Sequence, residues 1–198
     1  MKKCALFFTV ICIVNTSFAQ TNTLPLFEKK RIAIDKTGMT VLGGWAIANM
    51  GVSAFSIGSD NRQTHYFHEM NLIWNGFNLG LAGLGYLSAR KAKFNNIKFA
   101  EVLNHQNKSE KTFLFNAGLD VAYIAGGAWL SEKAKSKMDP SKLTGYGNGV
   151  MVNGGFLLLF DVIMYSIHHH HGKELNSIID KLQVSGTGTG ISVLYCFQ

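Results

Sequence analysis

Four stretches of this chain carry little or no charge over lengths that suit a bilayer, and polar segments divide them. Met39 to Ile57 (MTVLGGWAIANMGVSAFSI) has no charged residue in 19 positions, just enough to cross about 30 Å of hydrocarbon at ~1.5 Å per residue. Asn71 to Leu87 is also uncharged. In it Asn71, Asn75 and Asn78 recur at i, i+4 and i+7, with His68 one turn earlier, which predicts a polar seam turned towards protein. Phe113 to Leu130 places Asn116 and Asp120 on one face. Gly147 to His171 is the most apolar run after the N-terminus, with Asp161 near its middle and four histidines at its end. Small residues four apart (Gly44 and Ala48, Gly76 and Gly80, Gly118 with Ala122 and Gly126) predict faces for close helix contact. The expected fold is all-α: a four-helix transmembrane bundle of two helical hairpins. The same segments could instead form the core of a soluble bundle.

The connecting segments add detail. Residues 20–25 read as a linker, and Leu26 to Lys36 as a basic amphipathic helix, Phe27, Ile32 and Ile34 opposing Lys29, Lys30, Arg31 and Lys36. Such a helix suits a membrane surface or an ordinary protein surface. Arg90 to Lys111 reads as an exposed helix or pair of helices, and Pro140 interrupts the loop before the last span. Gly172 to Leu182 reads as a polar linker. Glycines 186, 188 and 190 form G-x-G-x-G, but the next glycine of a dinucleotide fingerprint is Ile191, so that motif fails. A short C-terminal strand or tail, Ile191 to Phe197, follows. Phe77 precedes Tyr86 as Phe156 precedes Tyr165, a short internal repeat consistent with tandem hairpins.

The N-terminus bears on the compartment. Lys2 and Lys3, the apolar run Ala5 to Val14 and the small-x-small site Ser17-Phe18-Ala19 predict a cleaved signal peptide over 1–19; an uncleaved anchor is the alternative. Cleavage would remove Cys4 and Cys12 and leave Cys196, so no internal disulfide is expected. The domain reading is a signal peptide (1–19), a linker and basic helix (20–38), a membrane domain (39–171) and a tail (172–198). A chain that is 47% apolar and only 16% charged is low in charge for a soluble protein. With the N-terminus exported, twelve Lys and Arg fall outside and five inside, against the positive-inside rule. An inverted topology, a soluble bundle or an outer-membrane location would each resolve that conflict. The net charge of +7 on an exported chain points to membrane lipids or envelope glycans and not to nucleic acid.

Candidate chemistry is sparse. Asp120 and Asp161 lie on helices antiparallel across one loop, roughly 15 and 21 Å from it, and so at similar depth. Two carboxylates close together in a low dielectric cannot both ionise cheaply, so the pair could relay a proton or hold a cation. The alternative is two separate aspartates serving as packing contacts with Asn116, Tyr123 or Tyr165. Asn49 would need a partner on another helix. His168 and His171, at i and i+3, are candidate metal ligands, against a solvated histidine run. His65 and His68 lie at the opposite end of the spans. No G-x-S-x-G elbow, P-loop or H-E-x-x-H is present, so neither an enzyme nor a cofactor is expected.

Met39 to Gly51 (MTVLGGWAIANMG) and Trp74 to Asn78 (WNGFN), with the four-segment layout, resemble an uncharacterised bacterial domain-of-unknown-function family of exported, small multi-helix membrane proteins. The resemblance covers some 150 residues and implies a helical membrane fold without an assigned activity. The functional expectation is an integral membrane protein of the cell envelope, in the inner membrane, serving as a structural or partner-binding subunit or homo-oligomer. The alternatives are an ion or proton carrier using Asp120 and Asp161, and a soluble periplasmic bundle that binds an apolar ligand. An outer-membrane location also stays open.

Overall fold

The computed structural model describes the backbone of residues 2–179, 182–187 and 190–195 and the side chains of 23–175. Helices α1 (Lys2–Ser56), α2 (Arg62–Lys91), α3 (Phe99–Ala134) and α4 (Ser141–Ile179) precede an antiparallel pair, β1 (Leu182–Thr187) and β2 (Gly190–Tyr195). Cys196 and Phe197 lie outside the described residues. The helices form two hairpins, α1 on α2 and α3 on α4, joined where α2 packs on α4. Gly145 meets Gln63, Gly149 meets Met70 and Asn153 meets Asn71, so α2 and α4 run parallel.

Local chemistry sets the boundaries. Asn61 precedes α2 and its side chain accepts the Thr64 N–H at 3.1 Å, a standard N-cap. Ahead of α4, Asp139 Oδ1 accepts the Ser141 N–H at 3.1 Å. Pro140 sits between them, where its missing N–H removes no helical bond. Asn96, with φ at 57°, turns the chain between α2 and α3 through the left-handed region that asparagine tolerates.

Three helices are longer than the hydropathy pattern suggests. The linker expected at 20–25 is helical, and α1 runs through Pro25 without a break near residue 38. Likewise α3 starts at Phe99, inside the stretch read as a separate exposed segment, and α4 passes His171 into the expected linker. Packing accounts for these extensions. Beyond the end of α2, the other three helices bury Phe27, Val102 and Leu175 in a small second core. The main core, at mid-bundle, gathers Leu42, Ala82, Phe113, Phe160 and Met164.

The small-residue faces are also placed differently. An added Cβ would meet nothing at Gly44, Gly76, Gly80, Gly118 or Gly126, so these glycines close no helix contact within the chain. The close approaches use their neighbours. A Cβ on Gly127 would stand 2.6 Å from the Gly147 carbonyl oxygen, and one on Gly145 2.6 Å from that of Gln63. Backbone meets backbone there, and only glycine permits it.

Among the described residues two helices, Phe99–Ala134 and Ser141–Leu175, are long and apolar enough to cross a membrane. Helix α2 is diluted by its buried asparagines and by His65 and His68.

Candidate functional site

Polarity in the middle of the bundle points inwards. Asn71, Asn75, Asn78 and Asn153 are 2%, 0%, 4% and 0% exposed. Asn153 Nδ2 donates to Asn71 Oδ1 at 2.6 Å and to the Gly149 carbonyl at 2.8 Å. Asn75 Nδ2 donates to Asn153 Oδ1 at 2.9 Å. The predicted seam on α2 thus faces α4. Its partner Asn153 was not singled out from the sequence, although Val150, Asn153, Asp161, Met164, His168, His171 and Leu175 make one helical stripe, all of it buried. That period was the available signal.

Helices α2 and α3 pack little against each other, and a cavity of about 750 Å³ lies between the hairpins. Trp74, Phe77 and Leu81 form one wall and Phe113, Leu119 and Tyr123 the other. Trp74 meets Tyr123 edge to face at 4.9 Å between centroids. Phe77 and Leu81 are largely exposed, so the cavity is open at the side. Asp120 and Asp161 line it together, 2% and 4% exposed, with Asn116 on the same wall as Asp120. Asp120 Oδ2 has no hydrogen-bond partner among the described residues. No lysine, arginine or histidine lines the cavity.

A second buried polar cluster lies at the three-helix end, and the sequence pattern did not reveal it. Arg31, read as part of a solvent-facing basic stripe, is 8% exposed, and Glu28 beside it is fully buried. The guanidinium donates twice to Glu28, at 2.7 and 3.0 Å, and to Asp35 at 2.7 Å. Burial alone would lower the Arg31 pKa; the bond and charge of Glu28, then Asp35, more than offset it, so the group is held above its ordinary value. His105 Nδ1 lies 2.8 Å from Glu28. Gln106 donates to the His168 carbonyl at 2.5 Å and to Glu110 at 2.9 Å.

The histidine run is divided between this cluster and solvent, His168 and His171 being buried and His169 and His170 exposed. His168 is fully buried, stacked on Phe113, with Nε2 3.0 Å from Asp35 Oδ1. His171 is 2% exposed, stacked on Phe27, and its Nε2 reaches the Phe27 carbonyl at 3.1 Å. His169 stacks on Tyr165 at the surface. The two candidate ligands therefore serve as packing groups between helices. Among the described residues no three His, Cys, Asp or Glu side chains are grouped to hold a metal.

The remaining candidates are local. Asn49 finds no partner on another helix among the described residues; it donates to Trp45 O, one turn back in its own helix, at 3.0 Å. At the opposite end of the bundle from His168, His65 bonds the Ile57 carbonyl at 2.6 Å and His68 the Ser53 hydroxyl at 3.2 Å.

An all-helical bundle with a buried amide seam and a side-opening cavity is thus the class of protein the structure defines. Residues 41–162, more than half of the chain, match the family of unknown function DUF6992. The chain belongs to that family. The matched stretch takes in the asparagine seam, Asp120 and Asp161 and stops short of His168. No curated protein and no solved structure matches the chain.

Proposed function

We propose that this chain is a non-enzymatic integral membrane protein of the cell envelope, its helices spanning the inner membrane, which acts as a structural or partner-binding subunit. The observation that carries the reading is inverted polarity. Phe55, Phe77, Leu84, Phe115, Ile47 and Leu159 are 94%, 73%, 69%, 67%, 61% and 61% exposed, at levels where asparagine and aspartate are buried. Soluble monomers rarely expose so continuous an apolar surface, whereas intramembrane polar groups face the bundle interior. The signal-like N-terminus and the resemblance to exported membrane proteins support export. The same belt argues against a soluble periplasmic bundle.

A carrier of protons or cations is the second reading, favoured by the Asp120–Asp161 contact. Asp120→Asn with Asp161→Asn tests it, since unchanged flux in proteoliposomes would remove the carrier role.

Membrane fractionation with an alkaline carbonate wash, then protease on spheroplasts bearing a C-terminally tagged chain, tests the main reading. The expected result is a pelleted protein with a digested tag. A pelleted protein with a protected tag would place the three-helix, Lys-rich end inside, as the positive-inside rule favours. Release into the supernatant would overturn membrane placement.

A further inference from the structure

We infer that the groove between α2 and α3 binds a monocationic amphiphile, an alkyl chain ending in a primary ammonium group, with the ammonium on the Asp120–Asp161 pair and the chain in the side opening. This deepens the partner-binding reading by naming a ligand class, and rests on membrane placement only for the route of entry. Three observations converge on that chemistry. The cavity, about 750 Å³, falls in the range of small-molecule sites and has their usual make-up, apolar walls with a few convergent polar groups. Its walls merge with the exposed apolar surface at Phe77 and Leu81, so a chain can lie partly outside it.

The polar end selects the head group. Asp120 is 2% exposed and its Oδ2 lacks a hydrogen-bond partner among the described residues. A buried acceptor without a donor is costly. Among the described residues no cationic side chain lines the cavity to balance these two carboxyls. A single ammonium supplies both the missing charge and the missing N–H. Trp74, Phe113 and Tyr123 line the same volume, and aromatic rings attract cations within about 6 Å of the centroid. An anion would meet the carboxylates directly, and an alcohol would supply a donor without charge.

The test uses the full-length protein in nanodiscs of uncharged lipid, with tritiated dodecylammonium as probe and empty discs as background. Saturable binding is expected above background, displaced by unlabelled dodecylamine but not by dodecanol or dodecyl sulfate. Dodecyltrimethylammonium, which has no N–H, should compete more weakly. Asp120→Asn should weaken binding on the order of tenfold or more, as loss of a buried charge partner does. Leu81→Trp, which fills the opening without touching a carboxyl, should weaken it too, so the proposal stays testable if the aspartate variant fails to fold. Binding equal to that of empty discs would overturn the inference. So would equal displacement by dodecanol, or undiminished binding by a folded Asp120→Asn protein. Should the carbonate wash release the protein, the same assay in buffer, with probe below its micelle concentration, judges the ligand separately from membrane placement.

Discussion

The two buried polar regions of this bundle are built on different principles. At mid-depth, α2, α3 and α4 contribute uncharged amides and two buried carboxyls, with no cation among the described residues lining the cavity beside them. At the three-helix end α1 contributes ions, Glu28 and Asp35 sharing Arg31, and α3 and α4 each set a histidine against one of the carboxylates. Beside the apolar outer surface the buried polar groups are mostly amides, and the two carboxyls there have no cationic partner among the described residues lining their cavity. Past the end of α2, ions are buried with counter-ions. The contrast fits a polar gradient along the bundle axis, with lipid beside one region and headgroups or water beside the other.

Removing one ion from the end cluster should have the largest effect. Glu28→Ala leaves Arg31 buried beside a single remaining carboxylate and should cost about 3–5 kcal/mol. Thermal unfolding of the detergent-solubilised protein would show it. Adding Arg31→Met should recover part of that loss; no recovery would mean that Glu28 acts by packing alone. Next, Gly127→Val forces α3 away from the Gly147 carbonyl and should cost about 1–3 kcal/mol, with little change in the end cluster as read by protection of residues 99–112 in hydrogen exchange.

Asn153→Leu sharpens the comparison from the other side. It strips two cross-helix bonds from the seam and should cost about 1–2 kcal/mol, less than Glu28→Ala because amides left behind can bond their own helix. An equal loss would erase the distinction between the two regions.

The smallest effect belongs to an exposed group. The Ser141 backbone N–H, then its hydroxyl, with a further contribution from Arg62, hold the Asp139 carboxyl below its ordinary value. Its contribution is therefore present above the unfolded aspartate range, about pH 3.9, and is lost as pH falls through the depressed folded value. Asp139→Asn should slightly lower stability at neutral pH and flatten the acid limb, the two proteins converging in strong acid; an unchanged neutral plateau would show that the carboxylate charge contributes nothing at this cap.

Much of the mid-bundle was legible in the sequence because each feature there rests on helical period alone. The i, i+4, i+7 spacing of Asn71, Asn75 and Asn78 put them on one face, and equal distance from a shared loop put Asp120 and Asp161 at one depth. The same reasoning misplaced the glycines. Spacing by four identifies a face without saying which neighbour, if any, covers it; the close backbone approaches fall at Gly127, Gly145 and Gly147, while an added Cβ at Gly118, Gly76 or Gly44 would meet nothing among the described residues.

By itself the sequence determined the helical class, the two hairpins, the inward polar seam of α2 and the absence of recognisable enzyme motifs. These follow from local periodicity and chain direction. Only the tertiary structure decided that α1, α3 and α4 continue past their apolar stretches, that Glu28 and Arg31 turn inwards, and that His168 and His171 are buried packing groups. Charged and histidine side chains are ordinarily assigned to solvent because burying each alone is prohibitive. Glu28, Arg31 and Asp35 supply one another's counter-charges within one turn or so of α1, but what buries them is the cover of α3 and α4, through Ser109, His105 and His168, and no local stretch of sequence shows that cover.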